Sequence, residues 1–181
     1  MKTESTVKYV LRLALTLLAI TAVVAAALAG VNSITAPAIA ELTAQKTQEA
    51  IQAVLPGGGD VVDFPETALV SKVYASDTGY AVEVTPGGFD NTITMMVGVD
   101  KAGSVLGISI ISHTETAGLG AVAAAGTPAG EAFRNEFVGA SGSVSVTKDG
   151  GEVEAITGAT ITSRAVCVGV NAALEVVAKM G

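Results

Sequence analysis

Two short stretches hold the residues with most to offer chemistry. They are Ile156-Thr157-Gly158-Ala159-Thr160-Ile161-Thr162-Ser163 and His113-Thr114-Glu115-Thr116-Ala117-Gly118-Leu119-Gly120. In the first, Gly158 and Ala159 keep a turn slim enough for a bulky ligand to approach the backbone. An apolar-periodic stretch begins directly after it, so Thr160 stands at a helix start. There its hydroxyl can serve as the N-cap, and Ser163, three residues on, can bond back. Unpaired N–H groups and the positive end of the helix dipole gather at such a start and suit a phosphate as well as a capping oxygen. By physics alone an ordinary capped helix is the simpler reading, and the phosphate site is the alternative. In the second stretch Glu115 reads by itself as a solvated acid at a strand end. His113, with no obvious partner, reads as structural.

Other chemistries find few residues. Cys167 is the only cysteine and Trp is absent. A disulfide within the chain and a cysteine-built metal site are excluded, and Cys167 in an apolar stretch reads as a small buried hydrophobe. With a single histidine, neither a histidine-pair metal motif nor a Cys-His nucleophile is supported. No residue is expected to act as general acid, base or nucleophile, and no metal site is expected.

The elements that must position the two stretches follow from periodicity. Beta candidates run over 68–74, 80–85, 92–99 and 105–111, joined by turn-like Asp77-Thr78-Gly79 and Asp100-Lys101-Ala102-Gly103. A Gly/Ala-rich loop over 117–130, a short helix around 131–137 and a further strand near 143–147 come next. Phe133 and Phe137, four apart on the short helix, read as core. Pro86-Gly87-Gly88-Phe89 and Lys148-Asp149-Gly150-Gly151 read as turns, the latter with a lysine that could face a phosphate. A helix from about 161 to 179 closes the chain, with Val166, Val170, Leu174 and Val177 as its core stripe. This is an α+β pattern with an antiparallel sheet and flanking helices, of a size for one core.

Ahead of the strands the chain changes character. Half of its 181 residues are apolar and only 15% are charged, below the roughly 25% of a soluble domain. Leu13 to Val31 carries no charge, and as a helix it reaches roughly 28 Å, close to the hydrocarbon thickness of a bilayer. It reads as a transmembrane helix. It is too long for a typical signal-peptide core, although cleavage within its Ala-rich part would free a secreted protein. Lys2, Lys8 and Arg12 precede it, which places the N-terminus in the cytoplasm and the bulk of the chain outside. Residues 1–12 hold three basic groups and one acid, so the chain's −7 leaves −9 for everything after them. That balance argues against nucleic acid. Asn32 to Pro37 reads as a break and 38–56 as a stem helix ended by Pro56-Gly57-Gly58-Gly59. The expected organisation is a cytoplasmic N-terminus over 1–12, a membrane helix over 13–31, the stem over 38–56 and one domain over 60–181.

The string Thr157-Gly158-Ala159-Thr160-Ile161-Thr162-Ser163 resembles the S/T-G-A-T-x-x-S motif of a family of FMN-binding domains. These occur in the G subunit of Rnf complexes and the C subunit of Na⁺-translocating NADH:quinone oxidoreductases. His113 to Gly120 resembles their H-x-E-T-P-G-L-G segment, with Ala117 where Pro is usual and so a less rigid loop. Pro86-Gly87-Gly88-Phe89 resembles a Y-G-G turn of the family, but its aromatic follows the glycines, and a simple β-turn is the stronger reading. The resemblance spans about residues 68–178, and the single anchor agrees with it.

The resemblance implies FMN held covalently on Thr160 through its phosphate, attached by a dedicated flavin transferase that consumes FAD. It places Thr157, Gly158, Ala159, Thr162 and Ser163 around the attachment point and Glu115, Thr116, Gly118 and Leu119 along the flavin. It implies a single-pass protein of the cytoplasmic membrane, its FMN domain extracytoplasmic. Such a protein carries electrons between neighbouring membrane subunits of an Rnf-type ferredoxin:NAD⁺ oxidoreductase coupled to ion transport. The chain length favours the Rnf family. The quinone-oxidoreductase C subunit, a stand-alone flavoprotein and a non-redox extracytoplasmic binding or assembly domain stay open as alternatives.

Overall fold

The computed structural model describes residues 3–65 and 67–180, and Lys2 of the basic N-terminal cluster lies outside them. Helix α1 runs from Thr3 to Val54 without interruption and carries Pro37 inside it. The break expected over Asn32–Pro37 is therefore absent. A proline removes one N–H and crowds the carbonyl four residues back, a cost that the bonds on either side can carry.

The described chain falls into two units, divided between Ala44 and Gln45. In the first, Leu11, Leu15, Leu18, Ile20, Val24 and Leu28 are all more than half exposed. The apolar side chains cover the whole circumference, so no single face is there for a soluble core to bury. Thr21 donates to the Leu17 carbonyl at 3.0 Å and Thr35 to that of Val31 at 3.0 Å. Hydroxyls satisfied within their own helix are compatible with hydrocarbon around it. By length and composition this is a candidate membrane span.

The second unit is a five-stranded antiparallel meander in the order β1-β2-β3-β4-β5. The strands are β1 (Asp60–Val62), β2 (Val70–Ala75), β3 (Gly79–Val84), β4 (Thr94–Asp100) and β5 (Val105–Ser112). Helices α2 (Pro128–Asn135) and α3 (Thr160–Met180) follow. Register aligns Val73, Val82, Val97 and Ile108 in one row, which buries against α3 with Val166, Val170 and Val177. The other face carries Tyr74, Ala81 and Met96 and buries against Ala50, Ile51, Val54 and Leu55 of the first helix's end. A Cβ on Gly98 would come 2.3 Å from the Val54 carbonyl oxygen, so that approach requires glycine. The compact unit consequently starts at Gln45, ahead of the residue 60 suggested by the glycine run.

The strand expected near Ser143–Thr147 does not form. Val144 gives its N–H to the Asn171 side-chain oxygen at 2.7 Å and accepts from the Asn171 amide at 2.8 Å, so α3 takes the bonds a sheet would have used. The fifth strand is the three-residue β1 instead. Phe133 and Phe137 are buried and meet edge to face, with ring centres 5.4 Å apart. Helix α3 is also long and apolar, but it is mostly buried, and it is the core helix of the domain.

Candidate functional site

Three connections converge where α3 begins. The 86–93 loop between β3 and β4 turns back on itself, with Gly88 N–H donating to the Asn91 carbonyl at 2.7 Å and Ile93 N–H to that of Pro86 at 2.9 Å. The loop after β5 carries Glu115 and enters a short 3-10 turn, Gly120–Ala124. A second 3-10 turn, Thr147–Asp149, brings Lys148 alongside. Between them lies a pocket of about 300 Å³, walled by Phe89, Glu115, Thr116, Leu119, Gly120, Lys148 and residues 158–162.

Glu115 is buried at 7% exposure. One carboxylate oxygen accepts from the N–H groups of Phe89 at 2.8 Å and Asp90 at 3.4 Å. The other accepts from the Thr162 hydroxyl in a short bond. The backbone is tailored to this side chain. A Cβ on Gly88 would lie 2.2 Å from one carboxylate oxygen, and a Cβ on Gly120 would lie 2.5 Å from the other and 2.5 Å from the Thr162 hydroxyl. Glu115 is thus a tie between the 86–93 loop, the 115–120 loop and α3, rather than a solvated acid. His113 accepts from the Glu115 N–H through Nδ1 at 3.2 Å and so helps to set this loop.

Thr160 is the first helical residue of α3, and its hydroxyl accepts from Lys148 Nζ at 3.1 Å. Among the bonds of the described residues the Thr160 hydroxyl makes no capping bond, while Ser163, inside the first turn, bonds back to the segment before the helix. Its hydroxyl accepts from the Ile156 N–H at 3.0 Å and donates to the Ala159 carbonyl at 3.0 Å, fully buried. The bend before the helix is set by Gly158 at φ +76°, where a Cβ would stand 2.9 Å from Leu119 Cδ2. The two sequence stretches therefore touch. Lys148 is held in place through its neighbour, because Asp149 takes two bonds of 2.6 Å from the Arg164 guanidinium, one turn into α3. That bonding holds the Asp149 carboxyl below its usual range and raises the Arg164 guanidinium.

Of the residues singled out in sequence, Thr160, Gly158, Ala159, Thr162, Glu115, Thr116 and Leu119 line the pocket, whereas Thr157, Ser163 and Gly118 do not. Gly118 supplies the turn at φ +77° that presents Leu119. Phe89, Gly120 and Ile161 also line it, and so does Lys148, the lysine that could face a phosphate. Phe89 and Lys148 sit in the Pro86–Phe89 and Lys148–Gly151 turns, the first of which read more simply as a β-turn. A roomier cleft of about 520 Å³ between residues 46–53 and 109–113 gathers none of the residues at the start of α3.

The pocket's chemistry is two-sided. Phe89, Leu119 and Ile161 present apolar surface at 65%, 42% and 49% exposure. The Thr160 hydroxyl, the start of α3 and the Lys148 ammonium make a polar corner suited to an anion. A ligand with a flat apolar body and a phosphate tail matches both, which is the constitution of FMN. Among the described residues no cluster of His, Cys, Asp and Glu could hold a metal ion.

Comparison with known proteins agrees with that chemistry. Residues 88–175 match the FMN-binding domain family, a stretch that contains every pocket wall. The chain is 35% identical over 193 residues to the G subunit of a Na⁺-translocating ferredoxin:NAD⁺ oxidoreductase complex from Acetobacterium woodii, covering 93% of this chain and 92% of that protein. It is 32% identical to the G subunit of an ion-translocating oxidoreductase complex from Methanosarcina acetivorans, covering 94% and 95%. The G subunit of a proton-translocating ferredoxin:NAD⁺ oxidoreductase complex from Clostridium ljungdahlii is 32% identical, covering 82% and 80%.

Proposed function

Since this chain belongs to the G-subunit family of ion-translocating ferredoxin:NAD⁺ oxidoreductase complexes, we propose that it is the membrane-anchored electron-transfer subunit of such a complex, with FMN in phosphoester linkage to the Thr160 hydroxyl. The observation that carries the linkage is the position of that hydroxyl. It faces the pocket rather than capping its own helix, beside a lysine and below an apolar rim. A phosphodiester keeps one negative charge, which a helix start and a neighbouring ammonium both favour. A covalent bond keeps the cofactor in a pocket too open to retain it otherwise.

FMN, when bound, supplies the electron-accepting and electron-donating chemistry. The chain's own residues hold and orient. Glu115 and Thr162 brace the wall along which the ring lies, Leu119, Ile161 and Phe89 offer it apolar contact, and Thr160 with Gly158 and Ala159 fixes the phosphate end. Gly118, Thr116 and Thr157 shape the loops on either side, and Ser163 holds the helix start. None of them acts as acid, base or nucleophile in electron transfer.

Residues 13–31 cross the cytoplasmic membrane, with 1–12 inside. From residue 38 the helix continues to Val54 as a stem whose last turns pack into the FMN domain, and that domain stands outside, against the other membrane subunits of the complex. A flavin transferase, using FAD, loads the cofactor there. The test is co-expression with such a transferase, followed by a denaturing gel read for flavin fluorescence and by intact mass. Wild type should carry one FMN and Thr160→Val none. A fluorescent Thr160→Val band would refute the site, and an unlabelled wild type would refute the linkage.

A further inference from the structure

The Lys148–Asp149–Arg164 corner has a purpose that the attachment motif does not contain. Lys148 Nζ reaches the Thr160 hydroxyl at 3.1 Å across 12 positions of sequence. The nearest carboxylate along the chain, Asp149, is occupied by both Arg164 bonds at 2.6 Å. Among the described residues Lys148 joins no contact ion pair; its charge helps to lower the neighbouring Asp149 carboxyl, and its ammonium donates to Thr160 at the pocket. Glu115, the other charged group on the pocket wall, has both oxygens bonded to Phe89, Asp90 and Thr162. The turn that carries Lys148 is itself fastened. Thr147 N–H donates to the Val153 carbonyl at 2.8 Å, Gly150 closes the turn at φ +85°, and a Cβ on Gly151 would strike the Ser145 carbonyl oxygen at 2.0 Å. A lysine on an otherwise acidic domain has been set on the one hydroxyl that takes the phosphate.

We propose that Lys148 is the phosphate-binding residue of flavin loading, and that the Asp149–Arg164 pair is the device that positions it. The proposal rests on the Thr160 linkage. Before transfer the ammonium donates to one lone pair of the Thr160 oxygen and orients the other toward the pocket. In the transfer the bond between the FMN phosphorus and the bridging oxygen of the FAD pyrophosphate breaks, and AMP leaves with that oxygen. A bond from the Thr160 oxygen to the FMN phosphorus forms, and the hydroxyl proton passes to a base of the transferase. No electrons change hands. The esterified oxygen is a poorer acceptor, so the ammonium turns to a charged non-bridging oxygen of the new diester, where the bond is stronger.

The experiment measures the initial rate of mass gain and of AMP release for the purified full chain in detergent, with flavin transferase and FAD in excess. Wild type is compared with Lys148→Met, Lys148→Gln, Lys148→Arg and Asp149→Asn, each first checked for an unchanged melting temperature. Lys148→Met should load about tenfold more slowly, the low end for a charge-assisted bond because the lysine is exposed. Lys148→Gln, which keeps a donor without the charge, should be nearly as slow. Lys148→Arg should recover most of the rate, and Asp149→Asn should fall between. In the loaded proteins, the ³¹P resonance of the diester should move in Lys148→Met and return toward wild type in Lys148→Arg. If wild type loads and Lys148→Met loads within twofold of it with an unmoved resonance, the lysine's role is overturned while the Thr160 linkage stands. If wild type gains no mass, the linkage falls and the lysine's role with it.

Discussion

The two walls of the pocket are built on opposite plans. One wall is closed, with Glu115 and Thr162 buried and bonded to one another, and with Gly88 and Gly120 leaving no room for a side chain against them. The other wall is open, and Lys148, Asp149 and Arg164 form their contacts in solvent. Buried polar groups lose heavily when a partner is removed, whereas exposed ion pairs contribute little to folding. The closed wall therefore holds the shape of the site, and the open wall can be spent on binding. Substitutions should separate the two, with stability responding on one side and cofactor loading on the other.

The largest effect on stability is expected at the knot. Glu115→Ala leaves the buried Thr162 hydroxyl without its acceptor, unties the 86–93 loop from α3 and empties a buried position, and should cost about 3 kcal/mol in denaturant unfolding. Glu115→Gln keeps the oxygen for the N–H groups and lets its amide meet the Thr162 oxygen, so about 1 kcal/mol is expected. Equal losses for the two variants would mean that the charge, rather than the bonding pattern, matters at this site. Gly120→Ala comes next. Its Cβ would push on both Glu115 and Thr162, and about 2 kcal/mol is expected. A variant as stable as wild type would show that the closed wall yields more easily than its packing suggests.

How much of this could be read from the sequence differs along the same line. Period-two alternation located β2 to β5 and the 3.6-residue stripe located α3 to within a residue or two, because burial on a sheet or helix face leaves a local pattern. Asp60–Val62 is too short to leave one, and Val144 looked like a strand until Asn171 took its bonds. Pro37 read as a stop because the local rule forbids it, while a long helix can absorb one lost bond. At the site, Thr160 and Leu119 were visible in the resemblance. Glu115 was visible too, but as a ligand contact; its role as a tie depends on donors 26 positions away at Phe89. Phe89 stands in a turn whose composition reveals only that the chain bends, and the turn of Lys148 offers a lysine to a phosphate without saying where that phosphate lies. Which bend meets which helix start is decided by the tertiary fold.

Cys167 offers a smaller effect that reports on the core behind both walls. It is buried in α3, and burial pushes its thiol up to about 11 from an ordinary 9.0. An acid raised in the folded state binds its proton longer there than in the unfolded chain, so stability should fall as pH climbs from about 9 toward 11. Cys167→Ala should lack that decline, once the alkaline loss common to both proteins is subtracted. The native thiol should also resist a disulfide reagent at pH 8 until denaturant is added. Rapid native labelling would place Cys167 in contact with solvent and remove the helix from the core.

The smallest effect on folding, and the sharpest for the comparison, is expected at Asp149. Its carboxyl lies below the usual range because Arg164 bonds to it, so whatever the pair adds is complete above the unfolded pKa near 4. It disappears only as pH falls through the lower folded value. Between pH 7 and 5 the difference in melting temperature between wild type and Asp149→Asn should be small and constant, shrinking to nothing in stronger acid. Over that same neutral range the variant should load flavin more slowly than wild type, because the turn carrying Lys148 has lost its tether. A variant that melts well below wild type would make the open wall a structural element like the closed one. A variant unchanged in both respects would leave the Arg164 pair without a role, and Lys148 would then be positioned by its own turn.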